Sequence, residues 1–241
     1  MKHLNQFITE YIVKKKLEKP IDSENNYKYC PKTTDDLISI IHTLLDKGET
    51  NLNCIDTSNI TDMVRLFSNA SIKTKIKNIN IDISGWNVHN VKSMKGMFFE
   101  YNNFNCDLSG WDVSNVKDMS FMFDNCKKFE GKGLENWNVS NATNMRYMFN
   151  DCEKFEGKGL ENWDVSNVTN MISMFENCIN FDCDLSGWDV SNVTDISFMF
   201  DNCKKFEGKG IDKWDVSNIK HMSFTFDGCT LLKNKPSWYK E

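Results

Sequence analysis

Carboxylates and carboxamides at one recurring position are the side chains whose type and spacing most invite chemistry in this 241-residue sequence: Asp56, Asn87, Asp112, Asn138, Asp164, Asp189 and Asp215. Set side by side at strand spacing, the five aspartates repel one another. They must be solvated, bonded to turn amides, or neutralised by a cationic partner. Asp and Asn often accept from backbone amides close in sequence, so an Asx-type turn is the ordinary reading of this row. A binding ladder is the sharper one. Calcium would call for a glycine-punctuated Asp loop, and the sequence has none of the known kinds.

A second recurring position holds Phe121, Tyr147, Phe198 and Phe224, with Arg65, Gly96 and Ser173 in the other copies. On a helix this position points about 150° away from the apolar stripe, which puts four aromatic rings in solvent. Exposed apolar patches mark partner surfaces. The competing reading tucks each ring against the next repeat, and the spacing does not choose between them.

The nine cysteines include no C-x-x-C pair, and Cys178 and Cys183 have neither a second pair nor a histidine beside them, which argues against zinc. Cys126, Cys152, Cys178, Cys203 and Cys229 share a position with Tyr101 and Ala70, a tolerance that points to packing. The odd count in a long chain reads as reduced thiols. His3, His42, His89 and His221 stand beside no nucleophile, and no phosphate-loop, nucleophile-elbow or H-E-x-x-H motif occurs. Catalysis needs one constellation, whereas everything distinctive here recurs evenly. The expectation is a non-enzymatic protein with no catalytic residue, metal or cofactor.

The elements that must position these residues follow from the tryptophans. Trp86, Trp111, Trp137, Trp163, Trp188 and Trp214 are spaced by 25, 26, 26, 25 and 26 residues, each opening a W-[DN]-V-[SH]-N-[VAI] segment. Ile55 to Ile60 is a degenerate first copy, set apart by an insertion over Ser71 to Asn80, and Trp238 begins a truncated last turn. Leu108, Trp111 and Val113 suggest a short strand, and Val116, Met119, Met122, Phe123 and Cys126 fall at helical spacing. The expected fold class is an α/β repeat solenoid, leucine-rich-repeat-like, with one short parallel strand and one short helix per repeat. Residues 1–50 form its N-terminal helical cap, with helices over 3–17 and 34–47. Residues 51–235 form seven repeats, and 236–241 an end segment. Asn59, Asn90, Asn115, Asn141, Asn167, Asn192 and Asn218 recur in every copy and suggest a ladder that satisfies backbone groups.

A net charge of −5, from 34 acidic and 29 basic residues, gives no basic excess for a phosphate backbone, so nucleic acid is not an expected partner. No apolar run reaches roughly 18 residues, so no membrane insertion is expected. The start lacks a secretory signal, which implies a cytoplasmic location on synthesis.

The string D-L-S-G-W-D-V-S-N-V-x-D-M-S-F-M-F-x-N-C, seen at Asp107 to Cys126, resembles the BspA-like leucine-rich-repeat surface proteins of bacteria over about residues 34–232. The resemblance implies adhesion and protein recognition. Similar arrays occur in bacterial lipoproteins and phage genomes. Unlike the surface members, this sequence shows no signal or lipidation cysteine near its start, so a phage product, in a virion or released by lysis, is the location that fits. The expected function is macromolecular recognition of a protein partner or cell-surface component through the repeat surface. The alternative is an assembly component of a larger particle, with self-association.

Overall fold

The computed structural model describes residues 27–240. Within them each repeat is a chain of tight turns. In the third copy the amides of Trp111, Val116, Met122, Cys126 and Phe129 donate to the carbonyls of Leu108, Val113, Met119, Phe123 and Cys126, at 3.0, 2.9, 3.2, 2.9 and 2.9 Å. The first and last residues of all these turns are buried. Phe121 (φ 59°) and Asn125 (φ 63°) are the third residues of the turns Met119 to Met122 and Phe123 to Cys126, the signature of type II.

This overturns the expected architecture. The described residues contain two α-helices, α1 (Thr34–Asp46) and α2 (Ala70–Ile76), and three single-turn 3-10 segments at Leu134–Asn136, Leu160–Asn162 and Ile211–Lys213. The chain is not an α/β solenoid, for no repeat has a strand and the segment expected as its helix is turns. The error has a physical source: apolar residues three apart lie on one face of a helix, and they are equally the two ends of a β-turn. A helix would send each amide four residues back. Here the amides of Met119, Phe121, Phe123 and Asn125 leave the repeat and donate to the carbonyls of Asn144, Arg146, Met148 and Asn150 at 3.0, 3.0, 2.9 and 2.8 Å. The strand expected at Leu108 to Val113 is consumed by two turns. Parallel pairing survives only as isolated bridges, in a row running Asp62, Ser93, Asp118, Asn144, Asn170, Asp195, His221, with Tyr29 to Ile55 and Asn51 to Asp82 at the first layer.

The repeats therefore stack, each layer hydrogen-bonded to the next, and the core is a set of ladders. Phe67, Phe98, Phe123, Phe149, Phe175, Phe200 and Phe226 stack at successive centroid distances of 5.4, 5.4, 5.6, 5.8, 5.7 and 5.7 Å. Each tryptophan donates its indole N–H to a carbonyl of the preceding layer, as Trp111 does to Ile83 and Trp137 to Leu108, both at 3.2 Å. A buried Trp keeps its polar tip satisfied this way.

At the first layer, α1 starts where the Thr33 hydroxyl accepts from the Asp36 amide, and buries Leu37, Ile40, Ile41 and Leu44. The insertion folds as α2, capped by Asn69, with Ile72 and Ile76 buried and Lys75 paired to Asp46 of α1. At the other end Trp238 takes the tryptophan position, stacking on Trp214 at 6.2 Å and donating to the Ile211 carbonyl at 2.9 Å. The helix expected over 3–17 lies outside the described residues.

Candidate functional site

The carboxylate row sits between two turns. In every copy its Oδ1 accepts from the amide two residues on: Asp56 from Ser58, Asn87 from His89, Asp112 from Ser114, Asn138 from Ser140, Asp164 from Ser166, Asp189 from Ser191 and Asp215 from Ser217, at 3.0 or 3.1 Å. These bonds hold several of the carboxyls below the usual range, from Ser114 and then His89 at Asp112, and from Ser166 and Ser191 at Asp164 and Asp189. All but Asp56 are exposed. The neighbouring asparagines link layers: Asn115 donates to the His89 carbonyl at 2.8 Å and Asn141 to that of Ser114 at 2.7 Å.

The aromatic row does not lie on helices. Phe121, Tyr147, Phe198 and Phe224 are turn corners in the left-handed region, with φ of 59°, 57°, 59° and 57°. Phe121 stacks on Tyr147 at 4.9 Å and 5°, and Phe198 on Phe224 at 5.1 Å and 17°. The Arg146 guanidinium lies 4.9 Å from the Phe121 centroid. The first three rings are half-buried, while Phe224 is 53% exposed. Between the two pairs in register stands Ser173, fully buried, its hydroxyl without a partner among the described residues.

Three residues beyond this row, reading from the sequence missed a line of four acids, Asp124, Glu176, Asp201 and Asp227, interrupted by Asn150. Burial pushes the Asp124 carboxyl up to about 6, although Asn150 donates to it at 2.8 Å, and the charges of Asp151, Glu100 and Glu176 push the same way. Burial also raises Asp201, with Glu176 and Asp227 adding to it. The sequence signal was the acidic residue one place after the pairs Met122-Phe123, Met174-Phe175, Met199-Phe200 and Thr225-Phe226.

The thiols of Cys126, Cys152, Cys178, Cys203 and Cys229 are buried and donate to the carbonyls of Phe98, Phe123, Phe149, Phe175 and Phe200 at 2.9 to 3.2 Å. Burial pushes all five up, Cys229 to about 12. Among the described residues no cluster of three His, Cys, Asp or Glu side chains could hold a metal ion, and no helix is long and apolar enough to cross a membrane.

The family model described as "Mycoplasma protein of unknown function, DUF285" matches residues 41–155 and again 128–239. The chain belongs to that family. BspA-like repeat surface proteins are in it too, in line with the resemblance read from the repeat string. No curated protein matches the chain. A solved structure titled "Crystal structure of TLR13-ssRNA13 complex" is similar at 12% identity and a TM-score of 0.38, over 83% of this chain. This chain spans 26% of that one.

Proposed function

We propose that this DUF285 chain is a non-enzymatic recognition module that binds a protein partner or cell-surface component through the row Phe121, Tyr147, Phe198 and Phe224. The observation that carries the proposal is the backbone those rings occupy. A bulky L-residue at positive φ costs about 1–2 kcal/mol. Gly96 makes the same corner at φ 59° without that strain. The turn does not need a ring there, and stacking between paired rings returns only about 0.5–1.5 kcal/mol. What each ring adds is outward aromatic area, the type enriched where partners bind.

The exposed oxygens of Asp112, Asp164, Asp189 and Asp215 are secondary candidates, because their Oδ1 atoms are committed to turn amides. The net charge of −5 argues against nucleic acid as the partner. The test is capture from lysate and from intact cells, comparing the wild type with Phe121→Ser plus Phe198→Ser. At least tenfold weaker capture of one defined partner, with melting little changed, supports the reading; equal capture overturns it. The assembly role, including a virion subunit, predicts instead a defined oligomer that the same substitutions convert to monomer.

A further inference from the structure

Charge is unevenly placed around the aromatic row. The chain as a whole is close to balanced, with 34 acidic and 29 basic residues. The paired turns that present the rings in the middle of the stack, residues 118–125, 144–151, 170–177 and 195–202, are not. They hold the carboxylates of Asp118, Asp124, Asp151, Glu176, Asp195 and Asp201 against a single base, Arg146. Elsewhere on the repeats acids meet lysines: Asp107 pairs with Lys132, Glu153 with Lys127, Glu156 with Lys158 and Asp182 with Lys209. Among the described residues no ion pair reaches any carboxylate of the paired turns.

The turns set these carboxylates beside the rings. Phe198 lies three residues after Asp195 and three before Asp201, and the Asp201 amide donates to the Phe198 carbonyl at 3.1 Å. Asp124 is tied to the Phe121 carbonyl in the same way, and Glu176 to that of Ser173, both at 3.3 Å. Ser173 is the one break between the two ring pairs, and its buried hydroxyl, without a partner among the described residues, is an acceptor left open in the row. Asp151, Glu176 and Asp201 are half-buried and reach solvent, whereas Asp124 is buried. Burial, and then the charges of Asp151, Glu100 and Glu176, push the Asp124 carboxyl up; burial and then Glu176 do the same to Asp201. A cation at this surface relieves that crowding. The chain already lays guanidinium groups on its own rings, Arg146 at 4.9 Å from the Phe121 centroid and Arg65 at 5.9 Å from that of Phe99.

We propose that the surface around Phe121, Tyr147 and Phe198 docks an extended, arginine-bearing basic segment of a partner protein. The inference rests on the reading of the aromatic row as the partner face and names the chemistry of what that face takes. Guanidinium groups of the segment lie flat against the rings and direct N–H donors at Asp151, Glu176 and Asp201, a combination of planar stacking and forked donation that a lysine ammonium lacks. At ~4.8 Å per layer the three steps from Phe121 to Phe198 span roughly 14 Å, which about five extended residues cover.

The probe is a fluorescein-labelled peptide of four Gly-Arg units, with citrulline in place of arginine as the neutral control of the same shape. Anisotropy with the full chain is expected to show saturable binding of the arginine peptide and at least tenfold weaker binding of the citrulline peptide. Glu176→Gln with Asp201→Asn should weaken binding of the arginine peptide at least fivefold; Asn150 holds the same position in its own copy, so a carboxamide is tolerated there. Glu130→Gln with Glu156→Gln removes as much charge from exposed acids of the link segments and should change binding less than twofold. Absence of saturable binding, equal binding of the citrulline peptide, or equal losses in the two charge variants overturns the proposal. Phe121→Ser with Phe198→Ser separates it from the reading it rests on. If these substitutions abolish partner capture while the arginine peptide does not bind the wild type, the aromatic face stands and this inference falls. If peptide binding needs the carboxylates and not the rings, both fall.

Discussion

Gly133→Ala tests the layer-to-layer register at one atom. Gly133 has φ 94°, and a Cβ built there would lie 2.1 Å from the Ser109 nitrogen and 2.6 Å from the Leu108 carbonyl carbon, both backbone atoms of the preceding layer. They cannot give way without opening the bond from the Leu108 amide to the Lys132 carbonyl at 3.1 Å. Positive φ in an L-residue costs about 1–2 kcal/mol, and overpacking against backbone about 1–3 kcal/mol. Together these give about 2–5 kcal/mol, or a Tm lower by roughly 4–20 °C for a chain of this size. Gly96→Ala is the control: φ is 59° and the nearest atom is Cγ of the flexible Arg65 side chain at 3.3 Å. It should cost about 1 kcal/mol, or roughly 2–4 °C. Thermal melting followed by tryptophan fluorescence and circular dichroism measures both. Equal shifts, or a tolerated Gly133→Ala, would refute the packing of each layer against the one before.

Three further outcomes follow from the buried polar groups. Burial raises Asp124 above its unfolded value to about 6, so its favourable contribution is complete below about pH 4 and is lost as pH rises through 6. Asp124→Asn keeps an acceptor for Asn150 and should stabilise the fold by about 1–2 kcal/mol at neutral pH, with no gain near pH 4, measured by urea unfolding. Thiol titration of the native chain with an aromatic disulfide should find Cys30 and Cys54 reacting first, since the other seven cysteines are buried, and all nine reacting in denaturant. Trp137→Phe removes the indole bond to the Leu108 carbonyl and should cost about 1–3 kcal/mol in the same unfolding assay, more than an exposed substitution such as Lys128→Ala.

The repeat, its 25- or 26-residue beat and the residues that point inward were legible, because burial follows side-chain chemistry whatever the backbone does. Leu108, Trp111, Val113, Val116, Met119, Met122, Phe123 and Cys126 form the apolar pattern in the sequence and are core in the structure. The backbone between them was not legible from apolar spacing alone, since turn corners and a helical stripe share the three-residue interval. A better signal was present: Asn125, Asn177, Asn202 and Gly228 stand third in the second turn, where type II geometry favours Asn or Gly. The aromatic row concealed the same geometry in the first turn, because Phe and Tyr are unexpected at positive φ. Only Gly96 gave a hint of it. α1 was legible within a residue at each end, owing to the acidic first turn at Asp35 and Asp36 and the closing Gly48.

The central claim is that each repeat is a layer of turns whose alternate amides bond to the next layer, which sets Phe121, Tyr147, Phe198 and Phe224 at left-handed corners. Through-hydrogen-bond coupling in a deuterated sample tests it most directly. The account predicts correlations from the amide nitrogens of Phe121 and Phe123 to the carbonyl carbons of Arg146 and Met148, 25 residues ahead. Correlations from Phe121 and Phe123 to carbonyls four residues back would restore a helix and contradict it.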